Sequence, residues 1–225
     1  MTRGITAALV AAIVTSACSS ATGATTSSSA RPRPGGPVDN AGIAKAVADS
    51  VLRPYTEADI HFMSAMIGHH AQALVMAKLA PSRGASAPVL RLAERIMNGQ
   101  EDEIATMQQW LRDRRQPVPE ARPGPMKMKM GGVEHEMLMP GMLTEAQMRQ
   151  LEQARGPEFD RLFLTLMIQH HSGAVSMVET LFRTYGAGQD HTVFKFASDV
   201  NVDQTTEIAR MQKMLEELAF GARLP

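Results

Sequence analysis

The chain has 225 residues, 44% of them hydrophobic, enough to bury one good-sized core. Its 23 acidic and 23 basic residues cancel, which removes the electrostatic case for a nucleic-acid partner. A single cysteine, Cys18, excludes an internal disulfide framework and leaves no thiolate cluster for a metal.

Residues 1–17, "MTRGITAALVAAIVTSA", read as a signal peptide: one Arg near the start, an apolar run from Ile5 to Val14, then small residues. That run is too short for a stable membrane span. It stops at "TSAC", which resembles the lipobox of bacterial lipoproteins, with Thr15 where that motif usually has Leu or Val. Cys18 is thus the expected lipidation site, and plain secretion with cleavage nearby is the alternative. The Ser, Thr, Pro and Gly of residues 18–40 describe a flexible tether. The expectation is an exported lipoprotein, held on the extracytoplasmic side by its N-terminal lipid only, with residues 41–225 as the folded domain.

Helix signals dominate that domain. Thr56 and Asp59 form a capping-box pattern opening a helix to about Ala80, where Pro81 and Gly84 stop it. A second helix opens near Pro88 and runs to about Arg114. Pro117, Pro119, Pro123 and Pro125 then forbid a regular element. A short helix from Thr144 to about Ala154 precedes a third long helix from Pro157 to about Gly186, and the last runs from about Asp190 to Leu218.

The two hairpins, 55–114 and 144–220, repeat one another. At an offset of 101, Asp59, Phe62, Met66, Ile67, His69, His70, Ala73 and Met76 match Asp160, Phe163, Met167, Ile168, His170, His171, Ala174 and Met177. At an offset of 104, Gln100, Glu103 and Met107 match Gln204, Glu207 and Met211. A duplicated hairpin joined by a long irregular connection, 115–143, predicts an all-α, ferritin-like four-helix bundle with one long crossover.

At about 100° per residue, Asp59, Phe62, Met63, Met66, His69, His70, Ala73 and Met76 share an arc of roughly 140°, leaving Ser64, Gly68, Gln72 and Lys78 outside it. The face that must be buried therefore carries both imidazoles and a carboxylate. On the partner helices, Gln100 with Glu103, and Gln204 with Glu207, interrupt apolar stripes. A carboxylate there is costly unless it is paired, hydrogen-bonded or bound to a cation. Two adjacent His pairs, brought together by the repeat with Glu, Asp and Met, point to a metal site in the bundle core. A buried His–Glu network without metal is the alternative. His61, whose counterpart is Leu162, and His191 are expected at the surface.

Between the hairpins, "MKMKMGGVEHEMLMPGM" holds Met126, Met128, Met130, His135, Met137, Met139 and Met142 on a background of Lys, Gly, Glu and Pro. Thioethers are soft ligands that favour Cu(I), and imidazole accepts copper in either oxidation state. This segment is the candidate for a second metal site. A hydrophobic latch over the bundle or a Met-rich partner surface are the alternatives.

"DIHFMSAMIGHHAQALVMA", "LAERIMNGQEDEIATMQQWL" and "PGMLTEAQMRQLEQARGPEFDRLFLTLMIQHHSGAVSMVE" together resemble the bacterial family called domain of unknown function 305, over nearly all of residues 55–220. The resemblance rests on the doubled Met-Ile-x-His-His motif and the intervening Pro-Gly-Met. It implies a ferritin-like fold, frequent export, and copper binding or tolerance in some members, with His69, His70, His170 and His171 central and Met66, Met76, Met167 and Met177 around them.

The reading is an exported metal-binding protein for copper, chiefly Cu(I), in sequestration, tolerance or handover. Asp59, Asp160, Gln100, Gln204, Glu103 and Glu207 are expected to support the ligands. A catalytic constellation is not evident. The rivals are a metal-free interaction lipoprotein and a di-metal oxidase, the latter lacking the Glu-x-x-His motifs such sites use.

Overall fold

The structure, a computed structural model, describes residues 54–130 and 133–221. The expected leader, Cys18 and the tether lie outside these residues. Helix α1 (Glu57–Leu79) passes through a 3-10 turn (Ala80–Arg83) into α2 (Ala87–Asp113). After the connection come a short α3 (Glu145–Gln153), then α4 (Gly156–Arg183) and α5 (His191–Gly221). Helices α1 with α2, and α4 with α5, form the hairpins, and α1 packs on α4 between them. The result is the all-α bundle of two repeated hairpins.

The helix boundaries follow local chemistry. Thr56 and Thr144 each cap a helix through a reciprocal capping box, with Asp59 and Gln147 as the returning partners. Prolines occupy the first turns of α2 and α4, where a missing N–H costs nothing. Gly84, Gly186 and Gly188 take the left-handed conformations that the hairpin turns require.

The core falls into two main clusters. One gathers Phe62, Met66, Trp110, Leu181 and Phe196. The other gathers Met76, Leu92, Phe159, Phe163 and Met167. Along α1, Phe62 and Met66 of the first cluster precede His69 and His70 and Met76 of the second follows them; along α4, Phe159, Phe163 and Met167 of the second precede His170 and His171 and Leu181 of the first follows. The two helices therefore run antiparallel, with both His pairs at the waist of the bundle. Each fully buried Phe or Met side chain contributes about 1.5–3 kcal/mol, so the imidazoles are clamped between two stabilising layers.

The connection departs from the expectation of an irregular chain. Met126–Met130 (β1) and Val133–Met137 (β2) pair as an antiparallel hairpin. The register sets Met126 opposite Met137 and Met128 opposite His135, and it sets Lys127 opposite Glu136 and Lys129 opposite Glu134. The alternation of Met with Lys, and of His with Glu, is the period-two pattern of a strand. The prolines before it end at Pro125 and leave the hairpin free to form.

Past β2, the crossover lies along the groove between α1 and α4, and the two helices receive it with swapped residues at equivalent positions. On α1, Gly68 makes room for the Met139 methyl, and Gln72 both donates to and accepts from the Leu143 backbone at 3.0 and 2.7 Å. On α4, Gln169 donates to the Gly141 carbonyl at 3.2 Å, and Gly173 meets the Pro140–Gly141 peptide directly. A Cβ at Gly173 would overlap the Pro140 carbonyl, and one at Gly141, whose φ is +76°, would lie 2.6 Å from the Gln169 oxygen. Gln72 is thus buried, although periodicity places it outside the core arc. With the crossover on one side and the bundle on the other, α1 is covered nearly all round.

Candidate metal centre

His69, His70, His170 and His171 are all completely buried. The His69 and His170 rings meet across the helix pair with centroids 3.9 Å apart and planes tilted by 41°, and His70 and His171 sit about 6 Å beyond on either side. Pseudo-twofold symmetry generates this layer, because the helices cross at the repeated motif.

Each ring is held by Nε2. His70 Nε2 lies 2.7 Å from Glu103 Oε2, and His171 Nε2 lies 2.8 Å from Glu207 Oε2, so each hairpin pairs its outer imidazole with its own carboxylate. His69 Nε2 is 2.9 Å from the Pro140 carbonyl, and His170 Nε2 is 3.0 Å from the His69 carbonyl. A carbonyl or carboxylate oxygen only accepts, so in every case Nε2 carries the proton. A ring that is neutral then has its lone pair on Nδ1. All four Nδ1 atoms are buried without a hydrogen-bond partner. Four such orphans at matching positions in two repeats are a costly arrangement for a purely structural core.

Electrostatics keeps the inner pair neutral. Burial, and then the neighbouring His70, lowers the His69 pKa to about 3; the Pro140 carbonyl pulls the other way, and His171 adds slightly to the lowering. Burial, followed by His69, His171 and His70, pushes His170 well below the ordinary range. Neutral imidazole is the form that ligates metal.

The donors therefore fit a soft or borderline metal ion. Among the described residues no three His, Cys, Asp or Glu side chains converge closely enough to cage a metal by themselves. The carboxylates Glu103 and Glu207 are engaged by His70 and His171 rather than free to bridge metals. Of the four expected core methionines, Met66, Met76 and Met167 are fully buried, and Met177 is partly buried.

The other expected supporting residues divide. Gln100 and Gln204 are buried one turn from the two Glu residues, with Gln100 Oε1 and both polar atoms of Gln204 unpartnered. Asp59 and Asp160 require correction: both are buried, but neither serves an imidazole. Each lies ten residues before its His, about 15 Å along the helix, and ties down the turn of the opposite hairpin. Asp59 accepts from the Gly188 N–H at 2.7 Å, and Asp160 accepts from the Ser86 N–H at 3.1 and 3.2 Å.

In the connection, Met139 and Met142 are buried and pack with Ala65 and Met177. Met177 of the core set and two methionines of the connection thus form one cluster rather than belonging to separate sites. Met137 is half exposed. Met126, Met128, Met130 and His135 are placed by their strand register alone. Sequence reasoning missed Pro140, whose carbonyl fixes His69, and the Gly173 contact that seats it. The Pro-Gly-Met run was the available signal.

The family model for Domain of unknown function (DUF305) matches residues 59–215. The chain belongs to this family. A DUF305 protein from Streptomyces coelicolor is 28% identical, with a TM-score of 0.60 over 72% of this chain and 94% of that one. A DUF305 fragment from Deinococcus radiodurans is 29% identical, with a TM-score of 0.59 over 72% and 98%. CopM in its Cu(I)-bound form is 27% identical, with a TM-score of 0.53 over 71% and 96%, and CopM has also been solved in Cu(II)-bound and Ag-bound forms. Comparison with functionally curated proteins gives no match.

Proposed function

We propose that this DUF305 protein is an exported, lipid-anchored binding protein for copper, holding Cu(I) for sequestration or handover rather than catalysing a reaction. The observation that carries the reading is the set of four buried imidazoles fixed through Nε2, with Nδ1 unpartnered. Hydrogen bonds at the far nitrogen set the tautomer and raise the basicity of the near one. Met66, Met76, Met167 and Met177 supply soft auxiliary ligands, a set suited to Cu(I) and poor for hard cations. CopM, which shares the fold and 27% of its residues, binds Cu(I), Cu(II) and Ag. Export is supported by the leader-like residues 1–17 and by the relative from Streptomyces coelicolor, which is assigned as secreted. Lipid anchoring rests on Cys18 in "TSAC".

Anaerobic Cu(I) titration of residues 19–225 against a competing chelator tests the reading. Wild type is expected to bind tightly, and replacing His69, His70, His170 and His171 with Gln is expected to abolish core binding, with little loss of binding by the Met-rich connection, while the helical circular dichroism persists. Full stoichiometry in the quadruple variant would refute it. A melting point that stays flat on adding copper would favour a metal-free interaction module, because a ligand of the native state must raise it.

A further inference from the structure

An apolar cleft lies outside the imidazole layer, where the end of β2 and the chain after it meet α1 and α4. It encloses about 320 Å3. Its lining holds one imidazole, His61, and three thioethers, Met137, Met139 and Met177; the remaining polar groups include the hydroxyls of Thr180 and Thr184, and no Asp, Glu, Lys or Arg takes part. We infer that His61, Met137, Met139 and Met177 form an outward-facing soft-metal site, an entry vestibule that captures Cu(I) or Ag(I) from solvent ahead of the imidazole layer. The inference rests on the reading of that layer as a metal site.

Three features of the cleft support it. The ligand chemistry is selective: a hard divalent cation finds neither carboxylate nor fixed charge there, whereas a soft monovalent ion finds thioethers in an apolar wall. The site is graded from outside to inside. Met137, 49% exposed, and the exposed His61 stand at the mouth, whereas Met139, 9% exposed, and Met177 pack together deeper. The inner end is also continuous with the imidazoles. Pro140, the residue after Met139, lines the same cleft and accepts the His69 Nε2 proton at 2.9 Å, and Ala65, which packs on Met139, lies one turn before His69.

The repeat provides an internal control. The residue equivalent to His61 is Leu162, which packs against the apolar core, and the residue equivalent to Met177 is Met76, which is completely buried there. The same helical framework thus builds a closed apolar layer on one side and an open soft-ligand cleft on the other. The difference arises because the single crossover can bring Met137 and Met139 to one face only.

Silver(I) is a suitable redox-inert probe, added in substoichiometric steps to residues 19–225 carrying 13C-labelled methionine methyls and 15N-labelled imidazoles. The Met137, Met139 and Met177 methyl resonances are expected to shift, and the inner imidazole resonances to follow. A Met137→Leu, Met139→Leu variant keeps volume and apolarity and leaves Met177 and the four inner imidazoles in place, so it should fold as wild type does. It is expected to lose one equivalent of bound silver and to load the inner layer roughly tenfold more slowly or worse in stopped-flow mixing. Imidazole shifts with silent vestibule methyls, or unchanged stoichiometry and loading rate in the variant, would overturn the vestibule and leave the inner site standing. Methyl shifts with silent imidazoles would keep the vestibule and overturn the inner site. Uptake of an apolar dye without any silver-induced methyl shift would make the cleft a hydrophobic pocket and overturn the proposal.

Discussion

Substituting Gly173 with Ala is expected to destabilise the protein, although alanine is the better helix former. Residue 173 lies inside α4, where Gly→Ala alone should contribute about 1 kcal/mol of stability. Here the added methyl would overlap the Pro140 carbonyl and the Gly141 Cα, both backbone atoms that cannot rotate away. Overpacking of this kind costs about 1–3 kcal/mol. The crossover can relieve it only by lifting from α4, which separates Pro140 from His69 and leaves the buried Nε2–H unpaired, a further cost of about 1–3 kcal/mol. The net expectation is a loss of about 3 kcal/mol, which for a domain of this size lowers the melting point by about 6–12 °C. Gly99→Ala is the matched control: it is exposed inside α2, with nothing within 4 Å of the new methyl, and should stabilise. Thermal denaturation of the metal-free proteins by circular dichroism gives both signs. If Gly173→Ala is as stable as wild type, or gains as Gly99→Ala does, the backbone contact that seats Pro140 on His69 does not exist as described.

Glu103→Gln and Glu207→Gln should each weaken Cu(I) affinity by about 10- to 100-fold, because the amide no longer fixes the imidazole as a charged acceptor does; chelator competition measures it. The metal-free protein should lose stability as pH falls. His69 and His170 are lowered below their unfolded value near 6.5, so below that pH the unfolded chain binds protons the native state refuses. Stability is full above about pH 6.5 and declines as pH falls, down to about pH 3 for His69, by at most about 1.4 kcal/mol per pH unit for each of the two, read from urea midpoints. A flat profile from pH 7 to 5 would contradict the buried neutral pair. Asp190→Ala should cost about 3–5 kcal/mol, since Asp190 is buried, accepts from Trp110 Nε1 at 3.1 Å and from the Val193 N–H, and pairs with Arg114; urea unfolding checks it.

The parts of this molecule written in local patterns are legible in the sequence. Thr56 with Asp59, the prolines at 88 and 157 and the turn glycines mark helix ends through interactions within a few residues, and the 101-residue offset reveals the hairpin repeat directly. The His70–Glu103 and His171–Glu207 pairs are also legible, because a carboxylate on an apolar stripe demands a partner. The remaining features depend on contacts some seventy residues apart. Gln72 looks solvent-facing by periodicity because a one-sided helix is assumed, and only the return of the crossover buries it. Asp59 and Asp160 share an arc with the imidazoles, but an arc says nothing of height along the helix, and ten residues of rise take them to the turns. The hairpin at 126–137 was hidden by the neighbouring prolines, even though "MKMKM" alternates as a strand does.

The account stands most directly on the state of four nitrogen atoms. Long-range 1H–15N correlation spectra of the imidazoles, recorded without metal and with stoichiometric Cu(I) under anaerobic conditions, report each of them. The predicted result is that His69, His70, His170 and His171 all carry their proton on Nε2 in the metal-free protein, and that copper moves their Nδ1 resonances while the Nε2 protons remain. Protons on Nδ1, or Nδ1 resonances that ignore copper, would contradict it.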